Sequence, residues 1–148
     1  MLSTEQLRAS IRTVPDFPKP GIQFRDISTL LANPAALHTS VTLLAREVRS
    51  SGATLVAGME ARGFIFGAAV AIEAGVGFVP IRKPGKLPVE TIGVDYALEY
   101  GAATQLVRMT SADVATALFV VDLPDLGGAT RLRNAGISVT SLLSFEGE

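Results

Sequence analysis

Four cationic side chains fall in two short segments that each follow an apolar run. Arg62 lies in the first segment, and Arg82, Lys83 and Lys86 lie in the second. A guanidinium binds phosphate through paired N–H groups, and ammonium groups add charge. Because the formal net charge of the whole chain is only −1, this local excess predicts a phosphate or pyrophosphate site. The alternative is that these side chains are solubilising charges on loops. That would be enough to explain the two lysines taken alone.

The elements that must position these cations form a strand–helix–strand unit. Residues 54–57 are an apolar run ending at Gly58, residues 64–74 are apolar almost all round, and residues 76–81 form a second apolar run. Parallel strands joined by a helix present their carboxyl ends on one edge of a sheet, where ligands bind. Both cationic segments are therefore expected at that edge, together with backbone N–H groups at the start of the helix.

Composition restricts the class of protein. Hydrophobic residues make up 48% of the chain and charged residues 18%, and there is no cysteine. The basic excess typical of a nucleic-acid binder is absent, and no thiolate metal site or disulfide can form. The apolar stretch 64–81 is interrupted by Glu73 and Pro80, so it is not a membrane span, and the N-terminus shows no signal pattern. We expect one domain, residues 1–148, in a reducing cytoplasm.

The N-terminal half carries clear local signals. Ser3 and Gln6 form a capping-box pattern at the start of a first helix. Residues 22–27 are predicted to form a short strand, and Asn33 precedes a proline at the start of an amphipathic helix. His38, the only histidine, falls on or near the solvated side of that helix. We therefore assign it no catalytic role.

Long strings of this sequence resemble the adenine phosphoribosyltransferases, which are type I phosphoribosyltransferases. The strings are GMEARGFIFGAAVA and GFVPIRKPGKLP, flanked by DFPKPGIQFRDISTLLANP, DYALEYG and DLPDLGG. The resemblance implies an α/β fold with a mainly parallel sheet flanked by helices. It also implies that adenine and phosphoribosyl pyrophosphate are converted to AMP and pyrophosphate in purine salvage. Further implications are Mg²⁺ with the donor and a homodimer that pairs near the 82–86 loop.

The resemblance also implies roles for particular residues. The backbone near Arg25 would bind the adenine edge and Phe24 its apolar face, since amide groups can match the donors and acceptors of the base. Glu99 matches the carboxylate that assists proton transfer at the purine, and Tyr100 would cover the site in a mobile loop. The resemblance places four cations at the pyrophosphate, namely Arg62, Arg82, Lys83 and Lys86. It also implies that Glu60 and Ala61 bind substrate and that Arg62 and Glu99 are the catalytic residues.

The sequence departs from the family pattern in its second half. The family has a strand, two adjacent acidic residues that hold the ribose, and an Ala-Thr-Gly-Gly-Thr loop that wraps the 5-phosphate before a helix. Residues 104–110 alternate in a way that predicts a strand, and nothing in 111–117 could form such a loop. We therefore expect that one strand–loop–helix unit of roughly 30 residues is missing, which leaves an edge or gap in the sheet.

A substitute for the missing loop could be sought in the strand 117–121 with Asp122, Asp125 and residues 127–130. The two aspartates are separated by Leu-Pro, however, and the string already matches a later strand and turn of the family. We favour the later-strand interpretation. Without the loop, the alternative to an active enzyme is a catalytically impaired or regulatory purine-binding or nucleotide-binding protein that keeps the base site and binds the donor poorly.

Overall fold

The computed structural model describes residues 1–88, 90–93 and 99–147. The helices are α1 (Thr4–Ala9), α2 (Ser28–Ala32), α3 (Pro34–Ser51), α4 (Arg62–Ala74), α5 (Glu99–Met109) and α6 (Gly128–Asn134). The strands are β1 (Arg12–Pro15), β2 (Gln23–Asp26), β3 (Leu55–Met59), β4 (Gly77–Ile81), β5 (Ala117–Asp122) and β6 (Val139–Ser144). A 3₁₀ turn, Pro124–Leu126, joins β5 to α6.

The described strands pair in twos. β3 runs parallel to β4, with Leu55 opposite Gly77, and β5 runs parallel to β6, with Ala117 opposite Val139. β1 and β2 form an antiparallel hairpin. The predicted α/β fold with parallel strands is confirmed. Within the described residues the two parallel pairs share no strand.

The β3–α4–β4 unit depends on glycine at the end of β3. A Cβ at Gly58 would lie 2.5 Å from the carbonyl oxygen of Gly63 and 2.8 Å from the ring of Phe78, so a larger residue would push β3 away from α4. α4 ends at Gly75, whose φ of +77° is left-handed. This close packing sets the carboxyl ends of β3 and β4 beside the N-terminus of α4, as the sequence predicts.

Helix α3 packs against the β5–β6 pair and against α4, which in turn packs on β3 and β4. The Asn33 side chain accepts hydrogen bonds from the first-turn N–H groups of α3, as predicted. On its buried face, Leu44 and Val48 join a core that includes Leu143 of β6, with Val56 of β3 packed against it. Full burial of one such aliphatic side chain contributes about 1.5–3 kcal/mol. α3 and α4 together therefore connect two sheets that do not hydrogen-bond to each other in the described part of the chain.

Other predictions for the N-terminal half are also confirmed. The Ser3 side chain accepts from the N–H of Gln6 while the Gln6 side chain accepts from the N–H of Ser3, which completes the capping box. β2 lies within the predicted segment 22–27. His38 is exposed on α3.

The strand predicted over residues 104–110 is wrong, because residues up to Met109 belong to helix α5. Ala102, Ala103, Leu106 and Val107 recur at spacings of three and four, which is the helical period. A few alternating residues inside such a segment cannot distinguish a strand from a helix. A helix, and not a strand, therefore precedes β5. The predicted position of the missing unit, after a strand ending at residue 110, assumed a strand that the structure does not contain.

Asp26 fixes the end of β2 to its neighbours. Its carboxylate accepts a hydrogen bond from the N–H of Ser28 at 2.9 Å and one from Arg12 Nε at 3.1 Å, and the same guanidinium makes a second contact through Nη2. Hydrogen bonds from Ser28, followed by that from Arg12, lower the pKa of Asp26 from its usual 3.8 to about 2. The ionised carboxylate therefore stabilises the hairpin against α2.

Replacing this carboxylate should make stability less dependent on acid pH. In Asp26→Asn, we expect lower stability at pH 7. Because the folded pKa lies below the unfolded value, the carboxylate's contribution is complete above about pH 5 and is lost as the pH falls through about 2. Urea unfolding from pH 7 to pH 2 should therefore show the two proteins converging. Glu73→Gln, which removes an exposed carboxylate from α4, is the control. A constant offset between Asp26→Asn and the parent at every pH would contradict this account.

Candidate active site

Glu60 joins the two cationic segments. It follows β3 directly, and its Oε1 accepts a hydrogen bond from the N–H of Lys83 at 2.6 Å and one from Arg82 Nε at 3.4 Å. The N–H of Glu60 in turn donates to the carbonyl of Ile81 at 3.2 Å. The structure therefore brings Glu60, Arg82 and Lys83 together at the edge where β3 and β4 end, as predicted.

The same contacts keep the Glu60 carboxylate ionised. The hydrogen bond from the N–H of Lys83 is the main cause that lowers the pKa of Glu60, and the nearby guanidinium of Arg82 lowers it further. An ionised Glu60 beside Arg82 neutralises one positive charge of the cluster. Its contacts therefore support a role in holding the second segment in place, in addition to the predicted contact with substrate.

Arg82 is the most constrained of the four cations. Besides its ion pair with Glu60, its Nη1 donates to the carbonyl of Lys86 at 3.3 Å, and its guanidinium lies 5.9 Å from the ring centre of Phe64. The side chains of Arg62, Lys83 and Lys86 are exposed and make no ion pair within the described residues. These three cations remain available to an anion.

The N-terminus of α4 adds backbone donors. Ala61 occupies the N-cap position, and its methyl group cannot accept a hydrogen bond from the first-turn N–H groups. Arg62 is the first residue of the helix and is exposed. Free N–H groups and a guanidinium at one helix terminus suit a phosphate group, because the helix dipole and the side chain carry the same sign of charge there.

The predicted base segment lies on the β1–β2 hairpin. Phe24 makes an edge-to-face contact with Phe17, with ring centres 5.2 Å apart. Arg25 Nη1 donates to the hydroxyl of Thr13 at 2.6 Å, and its Nη2 donates to the carbonyl of Glu146 at 3.2 Å. The side chain of Arg25 is thus bound within the protein, while the main chain of β2 is the part predicted to bind adenine.

A cleft of about 730 Å³ lies between the β3–β4 sheet and α5. Its walls include Leu55 and Val79 of the sheet, Leu106 of α5 and residues 112–116 before β5, and Lys83 lies at its border. Leu55 is 57% exposed and Val79 is 43% exposed. One apolar face of the sheet is therefore left partly uncovered next to the cationic segment.

Two predicted site residues can be placed only by their backbone. α5 begins at Glu99, so Glu99 and Tyr100 are helical, but their side chains lie outside the described residues. Residues 94–98 of the loop predicted to cover the substrates, residues 89–101, also lie outside them. The roles of Glu99 and Tyr100 stay predictions.

No metal site is formed by protein side chains in the described part of the chain, since no three His, Asp or Glu residues cluster there. No helix in this part of the chain is both long enough and apolar enough to cross a bilayer.

The segment considered as a substitute phosphate loop makes hydrogen bonds within the protein. Asp125 accepts from the N–H of Gly147 at 2.9 Å, and Arg131 donates to the carbonyl of Leu126 at 3.0 Å. That turn is thus engaged in internal contacts.

Two neighbours of the candidate site were not identified from the sequence. Phe64 contacts Arg82, and Phe145 contacts Arg25 across 120 positions of the chain. Neither contact leaves a local signal, because each joins residues brought together only by the fold. Their apolar character was visible, but it predicts core packing equally well.

No family model matches the chain, but individual relatives do. It is 52% identical to an adenine phosphoribosyltransferase of Erythrobacter litoralis and 50% identical to one of Novosphingobium aromaticivorans, with 99% of each chain covered in both comparisons. The solved adenine phosphoribosyltransferase of Thermoanaerobacter pseudethanolicus superposes with a TM-score of 0.90 at 34% identity, covering 97% of this chain and all of the other. The Saccharomyces cerevisiae enzyme, solved with an imino-altritol bisphosphate and adenine, gives 0.86 at 28% identity, covering 95% and 98%.

The alignment with the Erythrobacter litoralis relative is longer than this chain. It extends over 177 positions, whereas this chain has 148 residues, so at least 29 aligned positions have no counterpart here. This relative therefore has residues at alignment positions where this chain has none.

Proposed function

The chain belongs to the adenine phosphoribosyltransferase family, and from this premise we propose which residues carry each part of the reaction. These enzymes are pentosyltransferases of purine salvage. In the proposed reaction, N9 of adenine forms a bond to C1 of the ribose while the bond from C1 to the pyrophosphate oxygen breaks. The bonding pair leaves with pyrophosphate, and the ring loses a proton. The site must therefore bind a flat base, an anion and the sugar between them.

The observation that carries the proposed anion site is the cluster at the ends of β3 and β4. Arg62, Lys83 and Lys86 have no ion-pair partner in the described part of the chain, while Glu60 holds the backbone of Lys83 at 2.6 Å. We place pyrophosphate there, where the cations offset the negative charge that develops on the leaving group. Glu60 and Arg82 fix the loop, and the side chain of Ala61 does not cap the first N–H groups of α4.

Adenine is placed along the main chain of Phe24 and Arg25, next to the Phe24 ring. The antiparallel hairpin supports this, because Phe24 pairs with Val14 and the β1–β2 register holds the main chain in a fixed direction. The yeast relative was solved with adenine. Glu99 is proposed as the group that moves the purine proton, and Tyr100 as a cover over the bound substrates.

The ribose 5-phosphate is the part of the donor for which this chain has the fewest candidate binding groups. We infer that the positions present only in the relatives include the loop that wraps this phosphate. Because α5 is a helix and already precedes β5, the missing strand and loop belong before α5. The uncovered faces of Leu55 and Val79 and the unshared edges of the two parallel sheets support this position. The enzyme should therefore bind the donor weakly.

We propose that Mg²⁺ enters the site bound to the donor. No cluster of three metal-binding side chains is present in the described residues, whereas pyrophosphate itself offers oxygen ligands. When bound, Mg²⁺ would neutralise part of the pyrophosphate charge. The chain's own contribution is the cationic segment that receives this complex. We place the reaction in the cytoplasm, where a chain without cysteines meets no redox constraint.

We also propose that the protein is a homodimer formed near the 82–86 loop. The mean hydropathy of +0.38 is high, and α4 exposes Ile65 by 46% and Ile72 by 82%. Exposed apolar side chains on one helix are typical of a surface that a partner covers. Sedimentation equilibrium at micromolar concentration should give twice the monomer mass, and Ile65→Asp, near the start of α4, should shift the mass towards the monomer. A parent protein that remains monomeric would contradict the proposal.

Equilibrium binding of the free base tests the proposed function without requiring turnover. Radiolabelled adenine should bind the purified chain, and unlabelled adenine should displace it, whereas guanine should not. Guanine reverses the donor and acceptor at the edge of the base, so fixed backbone groups would be left unpaired. Equal displacement by both purines, or no adenine binding, would exclude a base site specific for adenine.

A further inference from the structure

We propose that Phe145 is a positioning residue for the adenine site, an inference that rests on the proposed function. Its ring is contacted by two guanidinium groups, with the Cζ of Arg8 4.5 Å and the Cζ of Arg25 4.7 Å from its centre. Phe145 is only 8% exposed. Arg25 belongs to β2, the strand whose backbone is proposed to bind adenine.

The ring is what makes this arrangement favourable. Two guanidinium groups close to one another repel, and each is attracted to the negative face of an aromatic ring. Arg25 is further held by its bonds to Thr13 and to the carbonyl of Glu146. A side chain without a π-system at position 145 would leave both cations without this partner, and the guanidinium of Arg25 would be held only by its bonds to Thr13 and Glu146.

The residues around Phe145 anchor it on the other side. Phe145, Glu146 and Gly147 form what we call the C-terminal clip. The N–H of Phe145 donates to the carbonyl of Asp122 at 3.0 Å, and the N–H of Gly147 donates to the Asp125 carboxylate at 2.9 Å. The clip thus connects the end of β5 to Arg25, and through Arg25 it fixes the position of β2 relative to the parallel sheet.

The test separates positioning from general stability. Phe145→Leu keeps an apolar side chain but removes the π-face, while Phe145→Tyr keeps the ring. Phe66→Leu is the matched control, because Phe66 is also 8% exposed but belongs to α4. Adenine and pyrophosphate dissociation constants would be measured by calorimetry for each folded variant. If Phe145 only stabilised the fold, replacing it would not change the adenine dissociation constant while leaving the pyrophosphate dissociation constant unchanged.

We expect Phe145→Leu to weaken adenine binding about tenfold, which corresponds to the loss of two cation–π contacts. Phe145→Tyr and Phe66→Leu should bind adenine like the parent, and pyrophosphate binding should be unchanged in all three. Unchanged adenine affinity in Phe145→Leu, or a parallel fall in both affinities, would overturn the inference.

If Phe145→Leu does not fold, Arg25→Met provides the same test, because it removes the guanidinium that the Phe145 ring holds and leaves the main chain of β2 in place. Its adenine affinity should fall by about threefold while its pyrophosphate affinity stays unchanged, and unchanged adenine affinity would overturn the inference. A parent protein that binds pyrophosphate but no adenine would instead show that the proposed base site itself is wrong.

Discussion

Phosphoribosyl pyrophosphate is expected to bind this chain scarcely more tightly than pyrophosphate alone. The reason is that the proposed contacts, from Arg62, Lys83 and Lys86, all reach the pyrophosphate end of the donor. A loop that wraps the 5-phosphate would add charge-assisted hydrogen bonds worth about 1.5–3 kcal/mol each. Two such bonds correspond to about 3–6 kcal/mol, or roughly two to four orders of magnitude in affinity.

Calorimetry with both ligands, each in the presence of Mg²⁺, measures this difference. The Erythrobacter litoralis relative is the matched control, because its alignment covers this chain and includes positions that this chain lacks. The relative should prefer phosphoribosyl pyrophosphate over pyrophosphate strongly, while this chain should not. An equally strong preference in both proteins would show that residues of this chain replace the loop, with Asp122, Asp125 and residues 127–130 the first to examine.

Removing the guanidinium of Arg62 should have the largest effect of any single substitution on anion binding. Arg62 is exposed at the first position of α4, where it can pair with a phosphate group in two-pronged geometry while the helix N–H groups bind the same anion. In Arg62→Ala, we expect pyrophosphate affinity to fall roughly ten- to a hundredfold, equivalent to one charge-assisted contact. Arg62→Lys should restore part of the affinity, because it keeps the charge and loses the fork.

Arg46→Ala is the control for charge alone. Arg46 is exposed on α3 and belongs to no proposed site, so its removal should leave pyrophosphate binding unchanged. Adenine affinity should be the same in all of these variants, since the base is placed on β2. A similar loss of pyrophosphate affinity in both alanine variants would indicate a diffuse electrostatic effect and would exclude a specific role for Arg62.

The sequence was sufficient to predict the β3–α4–β4 unit because each of its signals is local. An apolar run, the turn at Gly58, a buried helical segment and the stop at Gly75 all lie within 25 residues. The position of both cationic segments at one sheet edge followed from parallel pairing alone. The capping residues Ser3 and Asn33 were equally clear, because a cap acts on the turn that follows it.

Other features depend on contacts that no local pattern records. Residues 104–110 carry both an alternating and a helical spacing, and the choice of a helix is made by the whole segment 99–109. The binding of Glu60 to the N–H of Lys83 joins residues 23 positions apart. The pairing of Arg25 with Phe145 likewise needs the folded chain. In each case, residue types were visible but their partners were not.

The rate of AMP formation as a function of donor concentration tests the central claim most directly. That claim is that the base and pyrophosphate sites are present while the 5-phosphate site is deficient. With labelled adenine, Mg²⁺ and increasing phosphoribosyl pyrophosphate, we expect AMP to form at a rate that rises in proportion to donor concentration without saturating where the Erythrobacter litoralis relative saturates. Saturation of this chain at the same donor concentration as the relative, with comparable turnover, would contradict it.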